Sequence, residues 1–194
     1  MPFPAHSLVA AGGSMYSHVF ENTSTGLQRG HFWSLSIDFA PIEYDGSEWD
    51  CSTMIEWMQF PVRDWRSLNG AHASTAIEDE LVESSFYLTR HDWATVKELT
   101  LKHIADNRFR ASLTAIVDFQ GFTGDDVDPE MEVTAETDIE YTGIIIVPDN
   151  LFPKPNTPQH VSEVVAQFAD LAAYHTPEQD GFRYVMRPVQ NSAT

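Results

Sequence analysis

The sequence predicts a mainly β protein with one C-terminal helix (α+β), built as an antiparallel sheet, curved or two-layer, with an amphipathic helix packed on one face. Three observations carry that expectation. Polar and apolar residues alternate with a period of two through several runs, aromatic and β-branched residues fill those runs, and one late segment changes to helical spacing. At 194 residues and 42% hydrophobic content the chain can bury one substantial core, so a single domain spanning 1–194 is expected.

Residues 1–13, ending in Gly12 and Gly13, read as a loose N-terminal arm. Strands are then expected over 15–20, 31–44, 53–62, 81–90, 96–104, 108–120, 130–147 and 182–188. They are separated by turn-forming residues around Gly26, Asp45-Gly46, Asn69-Gly70 and the stretch 121–129. Internal repeats are absent, which argues against a solenoid or a propeller.

The helix is expected over 158–174. Thr157 supplies an N-cap oxygen, Pro158 suits the first helical position, and Val161, Val164, Val165, Phe168, Leu171 and Ala172 recur at helical spacing, with Pro177 just beyond the end.

Side-chain parity relates three of the strands. In 108–120 the odd positions from Phe109 to Phe119 are apolar and the even ones polar, apart from Ile116. A three-residue loop Ala105-Asp106-Asn107 sets Leu99 and Leu101 opposite apolar partners, with Asn107 in the left-handed conformation, whereas a two-residue turn would oppose apolar to polar. Downstream, a loop centred near Asp125 pairs Gln120 with Glu130, Asp118 with Glu132, Thr114 with Glu136, Ser112 with Asp138 and Arg110 with Glu140.

The last of these strands carries an acidic stripe. Glu130, Glu132, Glu136, Asp138 and Glu140 project from one face, while Met131, Val133, Ala135, Ile139 and Tyr141 project from the other. The expected register divides the stripe. Asp138 and Glu140 lie beside Arg108 and Arg110, while Asp118, Glu130 and Glu132 continue into Asp125, Asp126 and Asp128 with no basic residue in the same segment.

The formal charge is −18, from 29 acids against 11 bases, and no Lys or Arg falls between Arg110 and Lys154. Such a field disfavours direct binding of nucleic acid and of anionic membrane, and its complement is a basic protein. The N-terminus lacks a basic start followed by an apolar run, and no stretch reaches membrane-spanning length, so a cytoplasmic location is the default expectation.

Motifs for chemistry are weak. The run from Asp126 through Asp128 and Glu130 to Glu132 has alternate oxygen ligands, yet Met131 and Thr137 stand where a calcium loop needs Gly and Glu. None of the eight histidines shows zinc-site spacing, and the lone Cys51 has no His close by in sequence, which favours a buried structural thiol. In Arg90-His91-Asp92-Trp93 an Asp follows a His, but neighbours on a strand face opposite ways. No cofactor or metal is expected, and hydrolase, phosphotransferase and dehydrogenase fingerprints are missing.

Of the five tryptophans, Trp49, between Glu48 and Asp50, is expected to be exposed and the rest mostly core.

The function expected from these residues is a non-enzymatic acidic binding protein, of the immunity-protein or inhibitor type, a monomer or small homo-oligomer that docks on a basic partner. The docking residues are Asp118, Asp125, Asp126, Asp128, Glu130 and Glu132, with Trp49 beside them. Two alternatives stay open: an enzyme or small-ligand binder with a pocket in a β sheet, and a structural subunit of a larger assembly.

Overall fold

The computed structural model describes residues 7–44, 46–75, 81–88, 91–118 and 130–190. These contain ten strands: β1 (Ala10–Asn22), β2 (Leu27–Tyr44), β3 (Ser47–Met58), β4 (His72–Ala73), β5 (Glu83–Tyr87), β6 (His91–Ala105), β7 (Arg108–Asp118), β8 (Glu130–Ile146), β9 (Glu178–Asp180) and β10 (Arg183–Met186). The helix is α1 (Pro158–Val165). The expected mainly β chain with a late helix is what forms.

The architecture differs from the expected open or two-layer antiparallel sheet. Strands run in the order β1-β2-β3-β5-β6-β7-β8, and β8 returns to pair with β1 in parallel, so seven strands close into a mixed barrel. Closure pairs Ser14 with Glu140 and His18 with Ile145. It satisfies both edges that an open sheet would leave unpaired. β1 begins at Ala10, so the end of the stretch expected as a loose arm is part of this closing strand.

A barrel of this size holds little more than its own side chains. Trp33, Leu35 and Ile37 from β2, Ile55 from β3, Phe86 from β5, Leu99 and Leu101 from β6, Phe109 from β7 and Tyr141 from β8 are all 1% exposed or less. One end is closed by the 3₁₀ turn Trp65–Leu68, whose Trp65 ring lies 6.1 Å from Tyr141 and 6.4 Å from Phe109.

Deeper still, Tyr141 shares its hydroxyl with Ser17 Oγ at 2.9 Å and with the Tyr174 hydroxyl at 3.2 Å. Burial raises the pKa of both phenols. This is a satisfied polar chain inside an apolar core.

The helix starts as the sequence indicates, with the Thr157 hydroxyl accepting from the His160 amide and Pro158 at the first position. It ends at Val165 rather than near residue 174. The Arg63 guanidinium donates to the carbonyls of Ala166 and Gln167 at 2.6 and 2.9 Å, and the Arg63 carbonyl accepts from the Asp170 amide. Carbonyls drawn off by a distant arginine no longer continue the helix. Asp170 then caps a separate 3₁₀ turn, Leu171–Ala173. Val161, Val164 and Val165 join the same buried cluster as the barrel side chains.

Two half-buried histidines give the fold a pH dependence. His18 packs among Phe32 and Trp57, and His31 against Trp33 at 5.0 Å. Burial lowers the pKa of each from 6.5 to about 4, with the neighbouring His18 contributing at His31. The folded state therefore holds both rings neutral, while the unfolded chain binds protons below pH 6.5. Their stabilising contribution is complete above that value and is lost as pH falls toward 4.

Between pH 7 and about 5, above most carboxylate titration, urea unfolding is expected to lose about 1–2 kcal/mol per histidine. His18→Phe should flatten that slope by about half, and a stability independent of pH in this window would contradict the assignment.

Candidate functional site

The outer wall formed by β6, β7 and β8 carries the acidic stripe. Every residue of β7 from Arg108 to Asp118 has a partner on β8, so the spacing of the carboxylates is fixed by a continuous ladder. The alternation is as expected, with Val133, Ala135, Ile139 and Tyr141 inward and buried and the acidic residues outward.

The register differs from the expected one by two residues. Asp118 pairs with Glu130, Ile116 with Glu132, Ser112 with Glu136, Arg110 with Asp138 and Arg108 with Glu140. A slip of two keeps every side chain on its face, so hydrophobic parity does not distinguish the two arrangements.

Upstream, Leu99 opposes Leu113 and Leu101 opposes Ala111, as the three-residue loop requires, with an irregularity between His103 and Ala105. The left-handed residue is Asp106, at φ 48°, and not Asn107. Asn107 is buried instead. Its side-chain amide donates to Glu140 Oε1 at 3.0 Å and to the Tyr141 carbonyl at 2.8 Å, which ties the hairpin tip to β8.

The basic end of the wall is internally answered. Arg110 bonds Asp138 through Nε and Glu136 through Nη1, and Arg108 reaches the other oxygen of Asp138 at 2.9 Å. The hydrogen bonds to Asp138 and Glu136 raise the Arg110 pKa further. These pairs are exposed, and exposed ion pairs contribute little to stability; their effect here is to orient the carboxylates.

Glu132, for which its own segment offers no basic residue, finds one on another strand. Lys97 on β6 lies 2.8 Å from its Oε2. Lys97 sits at a register shift between Val96 and Glu98, which redirects it across β7 toward β8. Glu130 is exposed, and among the described residues no ion pair answers it. It faces Asp118 directly across the ladder. Asp125, Asp126 and Asp128 lie outside the described residues.

Between these charges the wall dips into a shallow depression of about 340 Å³, floored by Thr100, Ser112, Thr114 and Thr134 and flanked by Glu98 and Glu136.

Trp49 is half-buried, not exposed. It belongs to β3, pairs with Ile42 and packs against the core, because β3 starts earlier than expected, at Ser47. The exposed indole is Trp93, at 75%. Its strand begins at His91, so it projects outward beside His91's side of the wall while Asp92 turns inward and is 5% exposed. No His–Asp relay forms between these adjacent residues.

Cys51 is buried, and burial, with the nearby Asp50, pushes its thiol up to about 11, well away from a reactive thiolate. Among the described residues, no group of three His, Cys, Asp or Glu side chains is placed to hold a metal ion, and no helix is long and apolar enough to cross a membrane.

Three features escape sequence reasoning for one reason: they join residues far apart in the chain. They are the Lys97–Glu132 pair, the Arg63 helix stop and the juxtaposition of Glu56 with Glu83 on β3 and β5. Compared with family models, with curated proteins and with solved structures, the chain matches none.

Proposed function

We propose that this chain is a non-enzymatic acidic binding protein of the cytoplasm that docks on a basic protein partner, in the manner of an immunity protein or an inhibitor. The observation that carries this reading is the row of carboxylates held on one braced strand. Glu130, Glu132, Glu136, Asp138 and Glu140 project outward from β8, and the ladder to β7 fixes their spacing before any partner arrives. A preordered charged surface loses less side-chain freedom on association than a flexible one.

Two further features support it. Among the described residues, large side chains such as Trp33, Phe86, Phe109 and Tyr141 are buried in the barrel, which favours the outer surface as the place for recognition. The charge of −18 draws a basic partner in and speeds encounter at low salt.

On this reading Glu130 and Asp118 form the described edge of the docking surface, Asp125, Asp126 and Asp128 extend it in sequence, and Glu132 contributes together with its Lys97 partner. Trp49, packed inward, has at most a supporting role.

The test is capture of the partner from the native cell, followed by measured affinity. Changing Asp125, Asp126 and Asp128 to Asn and Glu130 to Gln is expected to weaken binding by at least about tenfold at low salt, with the difference shrinking as salt rises. Equal affinity of that variant for a basic partner would overturn the docking surface.

A further inference from the structure

A second constellation lies on the outer wall where β3, β5 and β6 run side by side. Glu56 on β3 and Glu83 on β5 are direct cross-strand partners. One row along, Ser85 pairs with Trp93, and its hydroxyl lies 3.2 Å from Nδ1 of His91. The His91 ring in turn packs on Tyr87, 5.1 Å between centroids. Glu56, Glu83, Ser85, His91 and Trp93 surround a depression of about 230 Å³.

Two facts about this depression call for a ligand. First, carboxylates set directly opposite each other repel, and among the described residues neither Glu56 nor Glu83 has a Lys or Arg partner. The Glu56 pKa is raised, first by burial and then by the charge of Glu83, with His91 partly offsetting both. Second, the same depression is walled by an indole exposed to 75%, a large apolar face left in water.

Paired carboxylates beside an open indole are complementary to an organic cation, which gains from the charges and from the aromatic face together. A guanidinium suits them best. It is planar, carries five donors that can serve two carboxylates, stacks on an indole and sheds water more readily than an ammonium. Catalysis by the Ser85–His91 pair is disfavoured, because Asp92 points away from His91 and β5 is paired on both sides, so its amides are engaged in the ladders.

We propose that this depression receives the guanidinium of an arginine side chain from the basic partner, with Glu56 and Glu83 as charge partners and Trp93 as the stacking face. The proposal rests on the docking reading above and adds a second, separate contact to it.

The test titrates N-acetyl-arginine methylamide, and its lysine counterpart, into the full chain while following the tryptophan indole N–H resonances by NMR, with Trp93 assigned from Trp93→Phe. The arginine probe is expected to shift the Trp93 resonance saturably and to leave Trp33 and Trp65 unmoved. The lysine probe should bind at least about fivefold more weakly. Glu83→Gln or Glu56→Gln should weaken the arginine probe by at least about tenfold without lowering the melting temperature.

Absence of a saturable Trp93 shift at millimolar probe, or a shift unchanged in both Gln variants, would overturn the proposal. The titration needs no partner, so its outcome is separable from that of the β8 docking surface. A captured basic protein that depends on Glu130 but is indifferent to Glu83→Gln and Trp93→Ala sinks the pocket alone. A responsive pocket in a chain that captures no basic protein sinks the docking reading, and with it the partner as source of the arginine, while the guanidinium site itself stands.

Discussion

Trp65→Ala is expected to destabilise the protein by about 3–5 kcal/mol, seen as a lower urea midpoint with the slope retained. Trp65 is 2% exposed and closes one end of the barrel. Its ring meets Phe109 and Tyr141, its indole N–H donates to the Ala173 carbonyl at 3.1 Å, and the Arg66 guanidinium lies 4.7 Å above it. Truncation opens a cavity at the barrel end and removes one of the two donors to the Ala173 carbonyl, which keeps the Val189 amide at 2.9 Å.

Trp65→Phe separates the two contributions. It restores most of the volume but not the donor, so it should recover more than half of the loss. If Trp65→Ala cost less than about 1 kcal/mol, Trp65 would not be closing the barrel end.

Gly143→Ala is expected to cost about 3–5 kcal/mol through a different cause, strain of the backbone together with a steric clash. Gly143 has φ 119°, and a Cβ there would stand 2.2 Å from the Met186 carbonyl oxygen and 3.1 Å from the Arg187 Cα. Neither neighbour is a flexible side chain that can turn aside.

The residue also sits where β8 changes partners, from β7 up to Glu140 to β10 from Ile144 onward. Hydrogen exchange should therefore report the damage unevenly, with protection lost first at residues 183–186 and kept longest in β7. Uniform loss of protection, or a stability within about 1 kcal/mol of the parent, would contradict this account.

Much of the barrel wall is legible in the sequence because it is local. The alternation in β7 and β8, the apolar matching of Leu99 and Leu101 across the β6–β7 hairpin and the Thr157-Pro158 helix start each need only a few neighbouring residues to specify them. What fails to read is nonlocal. Parity leaves register undetermined by steps of two, which is why Arg110 meets Asp138 rather than Glu140. The helix pattern continues past Val165 in sequence, but Arg63, far upstream, takes its carbonyls.

The candidate sites follow the same rule. The stripe on β8 is plain from its spacing, whereas Glu56 and Glu83 become neighbours only once β3 and β5 pair. Trp49 is half-buried where exposure is expected, and the exposed indole is Trp93, because two strands begin a few residues away from where turn residues suggest, at Ser47 and His91.

The parallel seam between β1 and β8 has a consequence for how the chain comes to its native state on the ribosome. β1 is made first, yet its seam partner at Glu140 is among the later residues to emerge. At roughly 5–20 residues per second, the nascent chain spends several seconds with the β1 edge unsatisfied. The β1–β2–β3 and β6–β7–β8 meanders can form early from local contacts, and joining them is the step that carries the largest loop-closure cost. A chain stalled before β8 should therefore be the aggregation-prone species, and its open β1 edge the place where another strand intrudes.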